Sequence, residues 1–308
     1  MLTLIKKLSG ALAEGRWFSG RPDVEPLNLD RHFPYVEQLF ALEEWPFLRG
    51  DLEVSQAQPW ATSRVAWKDG RFAGFFATHH FGDVGYLDMM IIAPEFRRAG
   101  VARPLYFGTL RALRSRGVRS LVVHTTNESA PMIRLLGFRP GLRFVLLRRE
   151  AADGGGNPLA RVSGALPLER SDRAALLDLD ARVFGARREA WIDALFSEPG
   201  ARFVGLKRDG ALRASLSLRP RRAGTLALDS VNACDPGDLE RLVGSLIRAE
   251  RSPLECFVRE GSELHWLLAQ NGFEVPEFFR SIGPLVEWRK GPTGDIGLSP
   301  EVQSLAWF

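Results

Sequence analysis

The chain has 308 residues, 45% hydrophobic and 25% charged, which is enough for two domains that each bury a core and excludes disorder on a large scale. Its net charge is +4, and its two cysteines, Cys234 and Cys256, form no C-x-x-C pair, which excludes a disulfide framework and a cysteine zinc site. Both cysteines are expected to be buried apolar residues. No window approaches the roughly 18 apolar residues of a membrane span, so a cytoplasmic protein is the simplest reading, and the choice between monomer and homodimer stays open.

Residues 1–23 read as an N-terminal extension, with Met1–Glu14 as a short amphipathic helix. An extended segment from Val24 to Leu27 opens a sheet, and Tyr35, Val36, Leu39, Phe40 and Leu42 have the spacing of a helix with an inward aromatic face. Ser63–Trp67 and Phe72–His80 flank Asp69-Gly70, a strong hairpin signal. Tyr86–Ile92 is a dense apolar run broken only by Asp88, short enough for a buried strand. Pro94 then forces a turn, and Arg97-Arg98-Ala99-Gly100-Val101-Ala102 opens a helix that runs through Leu105, Leu110 and Leu113. Ser120–Val123 is the next strand, and Phe144–Leu147 closes the first domain, which spans residues 24–150.

The glycine run and proline of residues 151–161 make a linker. The pattern then starts again in residues 162–308. Two helices, Ala174–Phe184 and Ala190–Phe196, lead to a second hairpin at Asp209-Gly210. A second central strand at Thr225–Val231, a helix at Leu239–Ile247 and a strand at Leu254–Val258 follow, and Gly272-Phe273 repeats the earlier Gly137-Phe138.

A strand that enters a helix through a glycine loop flanked by arginines gathers backbone N–H groups at a helix start, an arrangement suited to a pyrophosphate. Ordinary turns with solvated arginines share that pattern, so the following segments decide. Ile92, Pro94, Arg97, Gly100 and Ala102, then Asn127, Ala130, Ile133, Gly137 and Phe138, resemble the GNAT N-acetyltransferase superfamily. Its pattern is V-x-P-x-x-R/Q-x-x-G-x-G/A, a helix and a strand, then N-x-x-A-x-x-L-Y-x-x-x-G-F. One position departs from it: Arg134 stands where the family commonly has a tyrosine that serves as general acid.

The resemblance implies an α/β (α+β) fold of two GNAT-like domains in tandem, each a mixed, mostly antiparallel sheet flanked by helices. It further implies acetyl-CoA as cofactor and direct attack of a primary amine, of a small molecule or peptide, on the thioester. Met90, Ile91 and Ile92 would hold the thioester end, Arg97, Arg98, Ala99, Gly100, Val101 and Ala102 the pyrophosphate, and Asn127 the pantetheine arm. The pantetheine arm is expected where Tyr86–Ile92 splays from Leu121–Val123. Trp45, Phe47 and Trp60, with Asp51 and Gln56 nearby, fall on the acceptor side, although such aromatics serve equally as core or lid packing.

An alkyl amine must lose a proton before it attacks. Tyr86, Asp88, Met90 and Ile92 share one face of their strand, and Asp88 is the carboxylate on it, which makes it the first choice of base. His79, His80 and His124 are the further candidates, and Arg134 could stabilise the departing thiolate or bind a phosphate. In the second copy, Asp235 and Asp238 stand near the helix start, where they suit the helix dipole but repel a pyrophosphate, so that domain is expected not to use acetyl-CoA. The arginine clusters at 111–116 and 219–222 read as a polar helix face and a hairpin turn, and no aromatic reader motif accompanies them, which argues against nucleic acid. The alternative to an enzyme is a non-catalytic acyl-CoA-binding module.

Overall fold

The computed structural model describes residues 21–43, 45, 49–56, 61–126, 129–151, 165–184 and 187–291. Apart from Ala151, the expected linker lies outside them, as does the expected helix at Met1–Glu14. The elements of the first half are β1 (Asp23–Pro26), α1 (Leu29–Leu42), α2 (Arg49–Gln56), β2 (Arg64–Lys68), β3 (Arg71–Phe81), β4 (Val84–Ile92), α3 (Ala102–Ser115), β5 (Ser120–Thr125), α4 (Ala130–Leu135) and β6 (Arg139–Arg149). Those of the second half are β7 (Ala165–Leu168), α5 (Arg173–Phe184), α6 (Glu189–Ser197), β8 (Arg202–Arg208), β9 (Ala211–Pro220), β10 (Leu226–Ala233), α7 (Pro236–Ala249), β11 (Leu254–Arg259), α8 (Glu263–Gln270), α9 (Glu277–Ile282) and β12 (Leu285–Lys290).

Two compact units are present. The first takes its described residues from 21–45, 62–78 and 88–116, the second from 46–61, 79–87 and 117–291. In the first unit β1, β2, β3 and β4 follow one another in the sheet, with β1–β2 and β2–β3 antiparallel. Asn28 caps α1 by accepting a hydrogen bond from the Arg31 amide, and α1 buries Phe33, Val36, Leu39 and Phe40, close to the spacing expected from the sequence. From α3, Leu105, Tyr106, Leu110 and Leu113 are buried.

In the second unit the strand order runs from the N-terminal part of β4 through β5, β12, β6, β11, β10, β9 and β8 to β7. The pairs are antiparallel except β4–β5 and β10–β11. The hairpin of this unit duplicates that of the first. Asp69 and Asp209 both have φ 52°, and the glycines that follow have φ 73° and 76°, the doubly left-handed turn that Asp-Gly favours. The register shift of each hairpin also falls at the same place, between Ala66 and Trp67 in one and between Leu206 and Lys207 in the other.

Strand β12 was not expected from the sequence. It lies between β5 and β6 and pairs antiparallel with both, so a segment from the end of the chain completes the sheet around the first domain's last two strands. Trp288 is 1% exposed there. Lys290 donates to the Leu136 carbonyl at 2.6 Å and lies over the Phe138 ring, so a cation from β12 satisfies the C-terminal end of α4. Two expectations need correction. Cys256 is buried but Cys234 is exposed, because it falls in the turn after β10 rather than in a strand. The run 219–222 does lead into the turn between the antiparallel strands β9 and β10, but Arg219 is buried and Arg221 half-buried, because carboxylates converge on them.

Lys290→Ala should lower the unfolding free energy by about 1–2 kcal/mol in urea titration, the magnitude of a lost charged hydrogen bond at a helix terminus.

Candidate functional site

Along β4 the burial alternates: Met89 and Ile91 are buried, while Asp88, Met90 and Ile92 of the opposite face are half-buried. That alternation places Asp88 and Met90 on one face, as strand geometry requires. The strand end lies tight against its neighbour. A Cβ on Gly74 would come within 2.7 Å of Ile92 Cδ1 and 2.9 Å of the Ile91 carbonyl oxygen, so only glycine lets β3 approach here. The Ala93 amide then donates to the Ala73 carbonyl at 3.0 Å, and Pro94–Phe96 makes one tight turn.

Two arginine contacts fix the loop that follows. Arg71 pairs with Glu95 at 2.6 Å and lies over the Phe96 ring. Arg97 donates through Nε to the Ile92 carbonyl at 3.1 Å and pairs with Glu43 at the end of α1. In this arrangement Arg97 braces the loop. Arg98 and Gly100 both adopt left-handed backbone conformations, with φ 64° and 81°. For Arg98 this is an uncommon state that costs on the order of 1 kcal/mol or more.

The start of α3 is open. Val101 occupies the cap position without a side-chain hydrogen bond, no acidic residue lies in the first turn, and a Cβ on Gly100 would meet nothing within 4 Å. Arg98, Gly100, Ala102 and Arg103 are exposed. The first amides of a helix carry partial positive charge and require acceptors from outside it, so this terminus fits an anion.

The corresponding turn of the second copy is closed by its own side chains. Asp235 caps α7 by accepting from the Asp238 amide at 2.8 Å, and Asp238 is fully buried. Arg213 bridges the two carboxylates at 3.0 and 3.1 Å. Hydrogen bonding to the Asp238 backbone, with help from Arg213, holds the Asp235 carboxyl below its usual range, so it stays ionised where a pyrophosphate would have to lie.

The other predicted residues divide between the units. Asp88, Met90–Ile92 and Arg97–Ala102 come together in the first. Trp45 belongs there too, stacked on Phe40 with ring centroids 6.1 Å apart, which is a packing role. His79, His124 and Arg134 belong to the second unit. His79 is buried and lies flat on Tyr86, with centroids 4.9 Å apart and planes 2° apart, and edge-on to Phe81. His124 has Nε2 3.7 Å from Glu287 Oε2, on a strand pair that puts the two residues directly opposite. Burial pushes the Glu287 carboxyl up, but pairing with His124 and Arg289 outweighs it and holds the group below the usual carboxylate range. Arg134 is exposed, with its guanidinium 5.4 Å from the centre of the Trp288 ring. Phe47, Trp60 and Asn127 lie outside the described residues.

The parallel register joins Val84–Leu87 to Ser120–Val123, so Leu121–Val123 are paired with β4, and the ladder ends at Leu87, short of Asp88–Ile92. Glu43 and Glu287 were missed from the sequence because each meets its partner only through the fold. Asp235 carries a readable signal, an Asp-Pro-x-Asp helix start.

Residues 28–138 match the family model described as the acetyltransferase (GNAT) family. Over those residues the chain is similar to GNAT acetyltransferases. Its fold as a whole is that of tandem GNAT proteins. A protein from Pyrococcus horikoshii assigned as an acetyltransferase superposes with a TM-score of 0.73 at 16% identity, over 96% of this chain and 97% of the other. A tandem GNAT protein from the clavulanic acid biosynthesis pathway gives 0.64 at 15% identity, over 89% and 100%. A GCN5-related N-acetyltransferase from Sphaerobacter thermophilus gives 0.61 at 14%, over 93% and 99%. At such identities the likeness is one of fold. Among curated proteins none matches the sequence. No helix among the described residues is long and apolar enough to cross a membrane, and no group of metal-ligating side chains occurs among them.

Asp235→Ala removes the cap of α7 and should cost about 1–2 kcal/mol in chemical denaturation.

Proposed function

We propose that the protein is an acetyl-CoA-dependent N-acetyltransferase whose cofactor is held by the GNAT domain, within residues 24–150. The observation that carries this reading is the contrast between two duplicated helix starts. That of α7 is capped and filled by its own carboxylates, whereas that of α3 has no side-chain cap, no acid, an open glycine and exposed arginines. An uncapped, acid-free helix start beside arginines fits the pyrophosphate of coenzyme A.

The backbone N–H groups from Arg98 to Ala102 would cradle that pyrophosphate, and the β4 backbone near Met90 would lie against the thioester end. When bound, acetyl-CoA supplies an activated acetyl group for a primary amine of a small molecule or peptide. Asp88, on the half-buried face of β4, takes the proton from the amine. A backbone N–H near Met90 would stabilise the negative charge that develops on the acyl oxygen. Arg97 serves by fixing the loop through Ile92 and Glu43 rather than by reaching a phosphate.

A second reading, a non-catalytic acyl-CoA-binding module, draws on Arg134. This residue replaces the family's usual tyrosine and stands over Trp288.

Calorimetric titration should show micromolar binding of acetyl-CoA to the wild type and none to Gly100→Glu, which sets bulk and negative charge at the α3 start. The absence of wild-type binding would overturn the proposal. With an amine panel, Asp88→Asn should lower kcat by about 10²-fold or more while leaving coenzyme A affinity within twofold. Wild-type binding without any transfer would favour the binding module.

A further inference from the structure

Helix α2 belongs to the first half of the sequence, but in the second unit it is docked on elements of the second half. It packs against α6, Leu52 and Ser55 are fully buried, and Asp51 is 2% exposed. Asp51 accepts from Arg219 at 3.1 Å and from Arg221 at 2.7 Å. Arg219, itself fully buried, also binds Glu198 at the end of α6 through two hydrogen bonds of 2.7 and 3.1 Å, and lies 5.6 Å from the centre of the Trp191 ring. Asp229 of β10 completes the cluster at 3.4 Å from each arginine.

Among the described residues, three carboxylates therefore meet two guanidinium groups out of water, and Glu255 of β11 adds negative potential from the side. An excess negative charge in such a place is costly, and a proton is the cheapest remedy. Asp51 and Glu198 have the short, well-aligned contacts. Asp229 has the longest ones and is 3% exposed, so it loses least by becoming neutral.

We propose that α2 is docked by a latch whose grip depends on one proton: Arg219 and Arg221 hold Asp51 inside a buried cluster with one more carboxylate than guanidinium, and Asp229 carries the compensating proton. Burial raises the Asp229 carboxyl above its ordinary range despite both arginines, and the charge of Asp51 adds to the rise. Burial likewise raises Glu255 and, with the nearby carboxylates, the Cys256 thiol, as expected of a region with surplus negative potential. The sign follows from linkage. A carboxyl that is more basic in the docked than in the undocked state favours docking at low pH, and the advantage is lost as pH rises through its docked value. Between the undocked and the docked values the open fraction of α2 should grow up to tenfold per pH unit, and above the docked value it should level off. The latch is independent of acetyl-CoA binding and would stand if the acetyltransferase reading failed.

The test is hydrogen–deuterium exchange of the full chain from pH 5.5 to 9, corrected for the intrinsic pH dependence of exchange, with peptides covering Arg49–Gln56 as reporter and those covering α7 as control. Protection of α2 should fall with rising pH while that of α7 stays level. Asp229→Asn leaves two carboxylates facing two guanidinium groups, so its α2 protection should be flat with pH and exceed that of the wild type at pH 9. Glu255→Gln removes a neighbouring negative charge and should move the onset of wild-type-like loosening to lower pH. A flat wild-type profile, an unchanged slope in Asp229→Asn, or an unmoved onset in Glu255→Gln would each overturn the latch.

Discussion

Every α-helix begins with backbone N–H groups that its own carbonyls cannot reach, and the fold must find acceptors for them or leave them to something else. This chain meets the requirement in both possible ways within one duplicated plan. At α7, Asp235 supplies the acceptor for the Asp238 amide and Arg213 balances the charge of both carboxylates, so the terminus is self-contained. At α3 the residues between Gly100 and Arg103 supply neither a cap nor a carboxylate. A glycine and an arginine in left-handed conformations aim the chain around that open terminus, and Arg97 ties it to Glu43 and Ile92. The same strand–turn–helix device is thus a self-capped joint in one copy and an open helix start in the other.

Charge is spent differently around the second copy's central strand. Asp229 follows a leucine in β10 as Asp88 does in β4, but two arginines converge on it, and β10 bulges there with Ser230 at φ 49°. A carboxyl kept half-buried in one half has become an internal electrostatic anchor in the other. Such clusters add less to stability than their contacts imply, since desolvation offsets most of the attraction. α2 adds Asp51 to a place where Glu198 and Asp229 already contact the guanidinium pair.

Much of this was readable in the sequence because it depends on local rules. The two Asp-Gly hairpins, the β4 alternation, the glycine loop before α3 and the Asp-Pro-x-Asp start of α7 are set by neighbours a few residues apart. What escaped the reading is non-local. The run Arg219-Pro220-Arg221-Arg222 looks like a solvated turn until Asp51 arrives from 168 residues away. Arg97 looks like a phosphate ligand until Glu43, 54 residues back, takes it. His124 carries no mark in the sequence of the buried Glu287 that faces it. Strand β12 went unread because its pattern states that it is a strand, not which two strands it separates.

The position of β12 also governs the order in which the molecule can be made. The strand between β5 and β6 lies some 140 residues beyond them, so the edges that face it stay unsatisfied until residues 285–290 have emerged. Pairing over such separations folds slowly, and an edge held open on a growing chain is a place for mispairing. The β5–β12–β6 pairing needs residues 120–149 and 285–290 together, and a chain cut between them would leave one edge of β5 and one edge of β6 without a partner strand.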